Sequence, residues 1–384
     1  MLKLLFVIGT RPEAIKMAPV IQYARKFPES LQCVVCSTGQ HRDLLDQAFF
    51  IFDFCADECL DLMDYDQSLP RLTARMMESL SGTISRIRPD WVVIQGDTTT
   101  AFVSALSAYY HHIPIAHVEA GMRTGNLMSP FPEEGNRQMI ARLATIHFAA
   151  TKRSAGHLLQ ENISPSSIFV TGNTVVDSVA LIREKPLNEQ FLVSLIHGNK
   201  IPLSSFLDKK KIALVTCHRR ESFGKPLEGI LKSLYELAKI YPHIDWIFPV
   251  HPNPNVRKPV LGRLGSIPNV YLVEPVNYST ALKLMKESTI IVSDSGGIQE
   301  EAPCFGTPVV VMRHQTEREE GVVSGFATLA GTDPNCIIKA AREWLDHPEV
   351  IKDLANKPNP YGDGHASERI VRYLLGRSVD EFDG

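Results

Sequence analysis

The sequence predicts an α/β protein built from two Rossmann-like domains, each with a doubly wound parallel sheet, and with a cleft between the domains. Short apolar runs alternate with longer amphipathic segments along nearly the whole chain of 384 residues. Strands that alternate with helices indicate βαβ units and therefore parallel sheets. Charged residues directly follow the apolar runs in both halves, at the sheet edge where ligands of open parallel sheets bind.

The apolar runs are the predicted strands, and the amphipathic segments are the predicted helices. In the first half we predict strands at 4–8, 32–36, 91–95, 114–118, 146–149 and 168–171, with helices that include 13–26, 72–86 and 102–110. In the second half we predict strands at 212–216, 246–250, 270–272, 290–293 and 308–312, with helices that include 227–241, 280–286 and 336–345.

The predicted domains are residues 1–183 and 184–364. Their boundary falls in a polar stretch at 184–211 that contains Pro186 and Pro202. A stretch rich in proline and glycine precedes an amphipathic segment at 368–375. Because such a stretch lets the chain change direction, we expect the C-terminal helix, at about 365–384, to pack back on the first domain.

Composition excludes several classes of protein. The net charge of −3 indicates neither a nucleic acid nor an anionic membrane as a partner. No apolar run reaches the ~20 residues of a membrane helix, and the N-terminal run is too short for a signal peptide, so we expect a cytoplasmic protein. The seven cysteines show no zinc pattern, and Cys33 and Cys36 lie within a predicted strand as buried, reduced thiols.

The most informative segment is 293–303, where an apolar strand leads into a Ser-Gly-Gly turn and a helix. The turn at Ser295, Gly296 and Gly297 presents backbone N–H groups at a helix N-terminus, which suits a phosphate. Glu300 and Glu301 follow one helical turn later and suit hydroxyl groups, such as those of a ribose. An ordinary strand–turn–helix with a solvated pair of glutamates explains the same segment.

Two cations follow the first predicted strand. The segment 9–13 lacks the G-x-G-x-x-G pattern of dinucleotide-binding proteins. With Pro12 at the first helical position, Arg11 and Lys16 place two cations near a helix N-terminus, and such an arrangement suits a diphosphate. The alternative is an arginine and a lysine that happen to lie at the surface near a helix start.

Three acids, Asp97, Glu119 and Glu133, follow or lie close after neighbouring strands. Crowded carboxylates shift the pKa values of one another and supply pairs of general acids and bases. Simpler explanations exist, because Asp97 is a preferred N-cap residue and Glu133, with Glu134, suits the first turn of a helix.

Two histidines follow strands in the second half. His218 is followed by Arg219 and Arg220, and a histidine beside two arginines at a strand end favours a phosphate ligand. His251 occupies the same kind of position but lacks such neighbours.

Taken together, these motifs resemble the non-hydrolysing UDP-N-acetylglucosamine 2-epimerases, a bacterial family with the two-domain GT-B architecture. The matching segments span nearly the whole chain in the order of the family and begin at Gly9 (GTRPEAIKMAP), Gly96 (GDTTT), His117 (HVEAG), Pro132 (PEE), His218 (HRRESFG) and Asp294 (DSGGIQEEAP). The set is highly specific, although the Ser-Gly-Gly turn alone recurs in other GT-B proteins.

The resemblance implies reversible conversion of UDP-GlcNAc to UDP-ManNAc by a dimeric enzyme that needs neither added NAD nor a metal. The implied catalytic positions are Asp97, Glu119, Glu133 and His218. The implied substrate- and UDP-binding positions are Arg11, Lys16, Arg137, Arg219, Ser295, Gly296, Gly297, Glu301 and Arg313. Some members bind a second, activating UDP-GlcNAc, and the matching positions are Gln40, Asp43, Gln67, Arg219 and His251. Asp43 is shorter than the Gln or Glu that is common there.

The chemistry of the substrate agrees with this resemblance. The C2 hydrogen of UDP-GlcNAc is not next to a carbonyl carbon, so elimination of UDP to a 2-acetamidoglucal, followed by re-addition, is the more accessible route. That route needs a carboxylate base, an acid for the opposite face and cations for the departing UDP. The three acids, with Arg11, Lys16 and His218, supply these groups, and which acid serves which face stays open.

Four alternatives remain at this stage. The chain could be a GT-B glycosyltransferase, a hydrolysing epimerase that releases UDP and ManNAc, an epimerase of a modified UDP-sugar, or a regulator that binds a nucleotide sugar without turnover. For the epimerase, we expect the product to supply ManNAc units for a surface polysaccharide.

Overall fold

The structure is a computed structural model that describes residues 1–39, 42–63, 67–183 and 211–384. The chain divides into two compact units, one formed by Met1–Arg183 with Tyr361–Gly384 and the other by Glu184–Pro360. Residues 184–210, which make up nearly all of the predicted boundary segment 184–211, lie outside the described residues. Within the described part of the chain, no helix is both long enough and apolar enough to cross a membrane.

The first unit contains a sheet of seven described strands, all parallel, in the order β3-β2-β1-β4-β5-β6-β7. The strands are β1 Leu2–Ile8, β2 Leu31–Ser37, β3 Glu58–Cys59, β4 Trp91–Gln95, β5 Ile115–Ala120, β6 Ile146–Ala149 and β7 Ile168–Val170. The helices are α1 Arg11–Ala24, α2 Arg42–Ile51, α3 Leu69–Ile87, α4 Thr99–Tyr110, α5 Glu133–Leu143, α6 Lys152–Gln160 and α7 Thr174–Arg183. The strand order reverses between β1 and β4, as in a doubly wound sheet.

The second unit contains a sheet of six described parallel strands in the order β10-β9-β8-β11-β12-β13. The strands are β8 Lys211–Thr216, β9 Ile244–Pro249, β10 Val270–Val273, β11 Ser288–Ser293, β12 Val309–Val311 and β13 Ala327–Leu329. The helices are α8 Lys225–Ile240, α9 Pro254–Leu264, α10 Tyr278–Glu287, α11 Gly296–Glu301, α12 Glu319–Val323, α13 Pro334–Leu345 and α14 Pro348–Leu354.

The C-terminal segment belongs to the first unit and contains helix α15, Ala366–Leu374. The buried carboxylate of Asp177 on α7 accepts hydrogen bonds from the backbone N–H groups of Ala366 and Ser367, and so caps the start of α15. Further along, Phe382 is buried, and its N–H donates to the carbonyl of Val170 at the end of β7.

The prediction of two doubly wound parallel sheets is confirmed. Strands β3 and β13 were not predicted, and they contain only two and three residues. The predicted end of β5 was too early, because this strand continues to Ala120 and Glu119 therefore lies within it. The register with β6 shifts between Val118 and Ala120, and Glu119 has a φ of 63°. A positive φ is strained for a residue with a side chain, so Glu119 occupies a local distortion of the strand.

Candidate functional site

The N-terminus of α1 is built around a buried carboxylate. Arg11 is the first residue of the helix and Pro12 the second, so the prediction of proline at the first position was one residue off. Glu13 is only 1% exposed, and its Oε2 accepts from the backbone N–H groups of Gly9 (3.0 Å) and Thr10 (2.6 Å). Burial raises the pKa of Glu13 to about 7, although its hydrogen bonds act in the opposite direction.

Lys16 and Glu119 form a buried ion pair. The Lys16 Nζ lies 2.5 Å from Oε2 of Glu119, and Gln95 Nε2 donates to the same oxygen at 2.9 Å. Helix α1 and strand β5 are thus joined by one charge pair. The same oxygen of Glu119 is therefore held by a cation and by an amide donor.

Asp97 lies in the turn after β4 and forms an ion pair with Arg137 on α5. The distance from Arg137 Nη2 to Asp97 Oδ2 is 2.6 Å, and Asn136 Nδ2 donates to the backbone carbonyl of Asp97 at 2.8 Å. The simpler explanation of Asp97 as an N-cap is wrong, because Thr98 is the cap of α4 and accepts from Ala101 N. The Asp97 carboxylate is therefore held by α5, independently of the start of α4.

The two glutamates at the start of α5 have different roles. Both lie in the first turn, as their simpler explanation required. Glu134 is fully buried, pairs with Arg137 at 3.1 Å and accepts from Thr124 N. The Oε2 atom of Glu133 is buried and has no hydrogen-bond partner among the described residues. Glu134 thus orients Arg137, whereas Oε2 of Glu133 can accept a hydrogen bond from a ligand.

His117 supports the turn that carries Asp97. Its Nε2 lies 2.7 Å from the carbonyl oxygen of Gly96, and the side chain is buried. Burial lowers the pKa of His117 to about 3, so the ring is neutral and donates from Nε2. His147 on β6 is in register with His117, and burial lowers its pKa to about 4.

In the second unit, the buried Asp294 organises the segment after β8. Its carboxylate accepts from the backbone N–H groups of His218 and Arg219, both at 3.0 Å, and from Ser222 Oγ at 2.9 Å. The His218 Nδ1 lies 3.4 Å from Asp294 Oδ1, and the ring stacks on His251. Burial lowers the pKa of His218, while the charge of Asp294 opposes that effect.

The Ser-Gly-Gly turn is present as predicted, with Ser295 as the N-cap of α11. A Cβ atom on Gly296 would lie 2.6 Å from the guanidinium carbon of Arg318, so only glycine allows Arg318 to approach the turn. Arg318 also pairs with Glu300 at 2.8 Å. The solvated pair of glutamates was therefore a wrong expectation, because Glu300 and Glu301 are both buried and Glu300 is engaged by an arginine.

Three arginines lie near one another in the second unit. Arg313 pairs with Glu221 at 2.9 Å and with Glu317 at 3.1 Å, and Arg318 also contacts Glu317. Burial and the nearby charge of Arg313 lower the pKa of Arg219. Guanidinium groups that lie this close together can bind the oxygens of an anionic ligand from several sides.

The residues suggested for an activating site are only partly described. Gln40 lies outside the described residues, as does the side chain of Asp43. Gln67 donates to the carbonyl of Leu62 at 3.1 Å and accepts from Arg75, contacts that stabilise its own loop. Within the described ranges, no cluster of three or more His, Cys, Asp or Glu residues could hold a metal ion.

Three residues that organise these groups, Glu13, Asp294 and Arg318, were not predicted from the sequence. Glu13 had a visible signal, since Thr10 and Glu13 have the spacing of a capping box. Asp294 directly follows an apolar run, at a position where ligands and their supports commonly lie. Arg318 had no local signal, because its approach to Gly296 depends on how the chain returns after β12.

Known proteins are similar to this chain over nearly its whole length. The sequence model of the Epimerase_2 family, described as UDP-N-acetylglucosamine 2-epimerase, matches residues 25–375. The UDP-N-acetylglucosamine 2-epimerases of Neisseria meningitidis serogroup A and Escherichia coli K12 are each 44% identical, over 97% and 98% of this chain and 99% and 100% of their own. The crystal structure of the N. meningitidis enzyme bound to UDP-GlcNAc matches with a TM-score of 0.89, at 44% identity, over 98% of this chain and 100% of that one.

Proposed function

The chain belongs to the UDP-N-acetylglucosamine 2-epimerase family, and from this premise we propose that it interconverts UDP-GlcNAc and UDP-ManNAc without hydrolysis. The observation that carries the proposal is a pair of carboxylates, Asp97 in the turn after β4 and Glu119 in the neighbouring parallel strand β5, each held by its own cation. Inversion at C2 requires one group that removes a proton and another that delivers a proton to the opposite face. Two separately supported acids fit that requirement.

We propose an elimination followed by a re-addition. A carboxylate removes the C2 proton, the electrons of the C2–H bond form a C1=C2 double bond, and the C1–O bond breaks with its electron pair remaining on the β-phosphate of UDP. The products of this half-reaction are 2-acetamidoglucal and UDP. In the second half, UDP adds back to C1 while a proton reaches the other face of C2, so no atom is gained or lost.

The acids of the first unit are proposed to handle the proton. Glu119 and Asp97 are the proposed general acid and base, and Lys16 and Arg137 hold them in place. Glu133, with its unfilled buried oxygen, is the third candidate and suits a hydroxyl or amide group of the sugar. The assignment of each acid to one face of the sugar stays open.

The second unit is proposed to stabilise the departing UDP. Ser295, Gly296 and Gly297 present backbone N–H groups to a phosphate, and Glu301 is the proposed acceptor for the ribose hydroxyls. The arginines near the turn, with His218, are proposed to stabilise the charge that develops on the β-phosphate. Arg219, Arg313 and Arg318 are these arginines. In the first unit, Arg11 is the proposed further contact to the diphosphate.

The remaining features of the proposal come from the family resemblance. We propose that the enzyme acts as a homodimer in the cytoplasm, without a cofactor or a metal, and supplies ManNAc units for a surface polysaccharide. Activation by a second UDP-GlcNAc is part of the same proposal, with Gln40, Asp43, Gln67, Arg219 and His251 as candidate contacts.

Proton NMR of the purified enzyme with UDP-GlcNAc in D2O, with no cofactor added, tests the function. We expect UDP-ManNAc to appear, with deuterium at C2 of both epimers, because the proposed base exchanges its proton with solvent. Free ManNAc with UDP would instead indicate a hydrolysing epimerase. An unchanged spectrum would contradict the proposal and would favour a modified sugar substrate, a glycosyltransferase or a binding protein.

The Asp97→Asn variant is the control for that experiment. Asparagine retains the shape of the side chain and one acceptor oxygen for Arg137, but it cannot exchange a proton as a general acid or base. We expect the variant to bind UDP and to form no epimer. Normal turnover would remove Asp97 from the catalytic residues while leaving the proposed reaction intact.

A further inference from the structure

The turn that carries Asp97 is held by three different elements. Each of its three residues forms a hydrogen bond with a separate part of the fold: Gly96 with His117 on β5, Asp97 with Asn136 on α5, and Thr98 with Glu13 on α1. The proposed mechanism assigns no role to Glu13. This residue nevertheless forms the link between the Asp97 turn and the helix that carries Arg11 and Lys16.

The carboxyl group of Glu13 is surrounded by hydrogen-bond donors. Oε2 accepts from Gly9 N, Thr10 N and Thr10 Oγ1, and Oε1 accepts from Thr98 Oγ1 at 2.6 Å. Among the described residues, Glu13 forms no ion pair with a lysine, arginine or histidine. A group that accepts four hydrogen bonds and neutralises no cation fits a role in fixing backbone positions.

The hydroxyl of Thr98 transmits this link into α4. It donates to Glu13 and accepts from Ala101 N at 3.0 Å, so both of these bonds are made by one atom. Donation to Glu13 orients the hydroxyl so that a lone pair faces the first turn of α4. Glu13 therefore connects the start of α1 to the start of α4 through a single side chain.

The two helix starts are in direct contact, which makes the link stiff. A Cβ atom on Gly9 would lie 2.1 Å from Thr100 Oγ1 and 2.6 Å from Thr38 Oγ1, so glycine is required there. Movement of α4 toward the end of β1 is therefore blocked by the contact between Thr100 and Gly9. Movement of α4 away from it is opposed by the hydrogen bond between Thr98 and Glu13.

We infer that Glu13 is a positioning residue that fixes the distance between the two catalytic carboxylates. Helix α1 holds Glu119 through Lys16 and the turn that carries Asp97 through Glu13, so one helix is bonded to the supports of both acids, while α5 orients the Asp97 carboxylate. This inference rests on the proposed function, because it gives Asp97 and Glu119 complementary roles on the two faces of C2. Glu13 itself need not touch the substrate.

Two variants change the link from opposite sides. Glu13→Gln retains one oxygen as acceptor for Gly9 and Thr10, but its amide nitrogen can only donate to Thr98, so the Thr98 hydroxyl loses the acceptor that orients it. Thr98→Val removes the hydroxyl at nearly constant shape. Because Thr98→Val also removes the cap of α4, Thr151→Val is the matched control, since Thr151 caps α6 of the same unit through Ser154 N.

The first readout is how deuterium taken up from D2O is divided between the two epimers. It is measured as the ratio of C2-deuterated UDP-GlcNAc to C2-deuterated UDP-ManNAc formed at early times. This ratio does not depend on how much enzyme is folded, so a merely structural effect leaves it unchanged. For Glu13→Gln and Thr98→Val we expect kcat to fall about tenfold or more, KM to stay within about threefold, and the ratio to change at least about threefold.

The double variant is expected to behave like the more affected single variant, because both changes break the same bond. Thr151→Val is expected to keep the wild-type ratio. An unchanged ratio in Glu13→Gln and Thr98→Val would overturn the inference, as would fully additive effects in the double variant.

The second readout does not require turnover. Hydrogen exchange of peptides that cover the first turn of α4 should be about fivefold faster or more in Glu13→Gln, with no change in peptides of the second unit. Wild-type enzyme that forms no epimer would contradict the proposed function alone. In that case faster exchange would still support the link between Glu13 and the Asp97 turn, and unchanged exchange would overturn it.

Discussion

At the scale of single residues, buried charge is handled in two different ways in the first unit. Asp97 and Glu119 each form an ion pair with a cation, Arg137 and Lys16. Burial lowers the pKa of His147 to about 4, so its ring is neutral. A buried base that stays neutral in this way makes the fold sensitive to acid.

This difference predicts a specific pH dependence of stability. Between pH 6.5 and about 4 the unfolded chain binds a proton on His147 that the folded protein does not bind, so stability falls as the pH falls through this window. In His147→Asn the loss of unfolding free energy between pH 7 and pH 5 should shrink by about 2 kcal/mol. Urea titrations at the two pH values measure this difference.

His243→Asn is the control for that experiment, since His243 is exposed and solvated in the folded protein. Its loss of stability between the two pH values should match that of the wild type. If His147→Asn also matches the wild type, His147 is protonated in the folded protein, and the explanation from burial fails.

Local sequence could predict the acids but not their partners. Asp97 follows directly after an apolar run, and that position alone indicates the functional edge of a parallel sheet. Lys16 is 103 residues from Glu119, and the two meet only because β1, β4 and β5 are neighbours in the sheet. Such pairs depend on strand order, and no property of the sequence near either residue reports strand order.

At the scale of elements, the start of α11 depends on the absence of one side chain. Arg318 lies against Gly296 and pairs with Glu300 on the same short helix. The guanidinium is held by two glutamates, Glu300 and Glu317, so it cannot move aside without loss of an ion pair. Glycine at 296 therefore sets where a cation lies relative to the turn proposed to bind a phosphate.

The Gly296→Ala variant tests this arrangement. The added Cβ would lie 2.6 Å from the guanidinium carbon, so Arg318 must shift away from the turn. We expect the Kd for UDP, measured by calorimetry, to rise about tenfold, which corresponds to one charge-assisted hydrogen bond. Gly262→Ala is the control in the same unit, because no atom lies within 4 Å of the added Cβ. Equal affinity of both variants would show that Arg318 is not needed for UDP.

At the scale of the whole molecule, the alternation of strands and helices was sufficient to predict two doubly wound sheets. The edge strands β3 and β13 could not be predicted, since two or three residues are too few to show a periodic pattern. The inner strands were found because burial on both faces makes them continuous apolar runs, as in 290–293. Boundaries moved by one to three residues where caps such as Thr10, Thr98 and Asn277 begin a helix earlier than its apolar pattern does.

The first unit is formed by two separate parts of the chain, and Phe382 is one point where they join. Its ring is 7% exposed and packs with Ala149, Ala155 and Val170 in a small cluster of buried residues. The backbone N–H of Phe382 donates to Val170 at 2.8 Å, so the C-terminal segment continues the hydrogen bonding at the end of β7. The stability of this unit should therefore depend on the last residues of the chain.

Phe382→Ala should lower the unfolding free energy of the first unit by about 3 kcal/mol, through loss of apolar burial and creation of a cavity. Hydrogen exchange at increasing urea concentrations distinguishes the units, and peptides of β6 and β7 should lose protection while peptides of β8 to β13 keep theirs.

Phe50→Ala is the control in the same unit, since Phe50 is 85% exposed and its removal should change stability by less than about 0.5 kcal/mol. Equal protection of β7 in Phe382→Ala and in the wild type would mean that the C-terminal segment rests on the first unit without stabilising it.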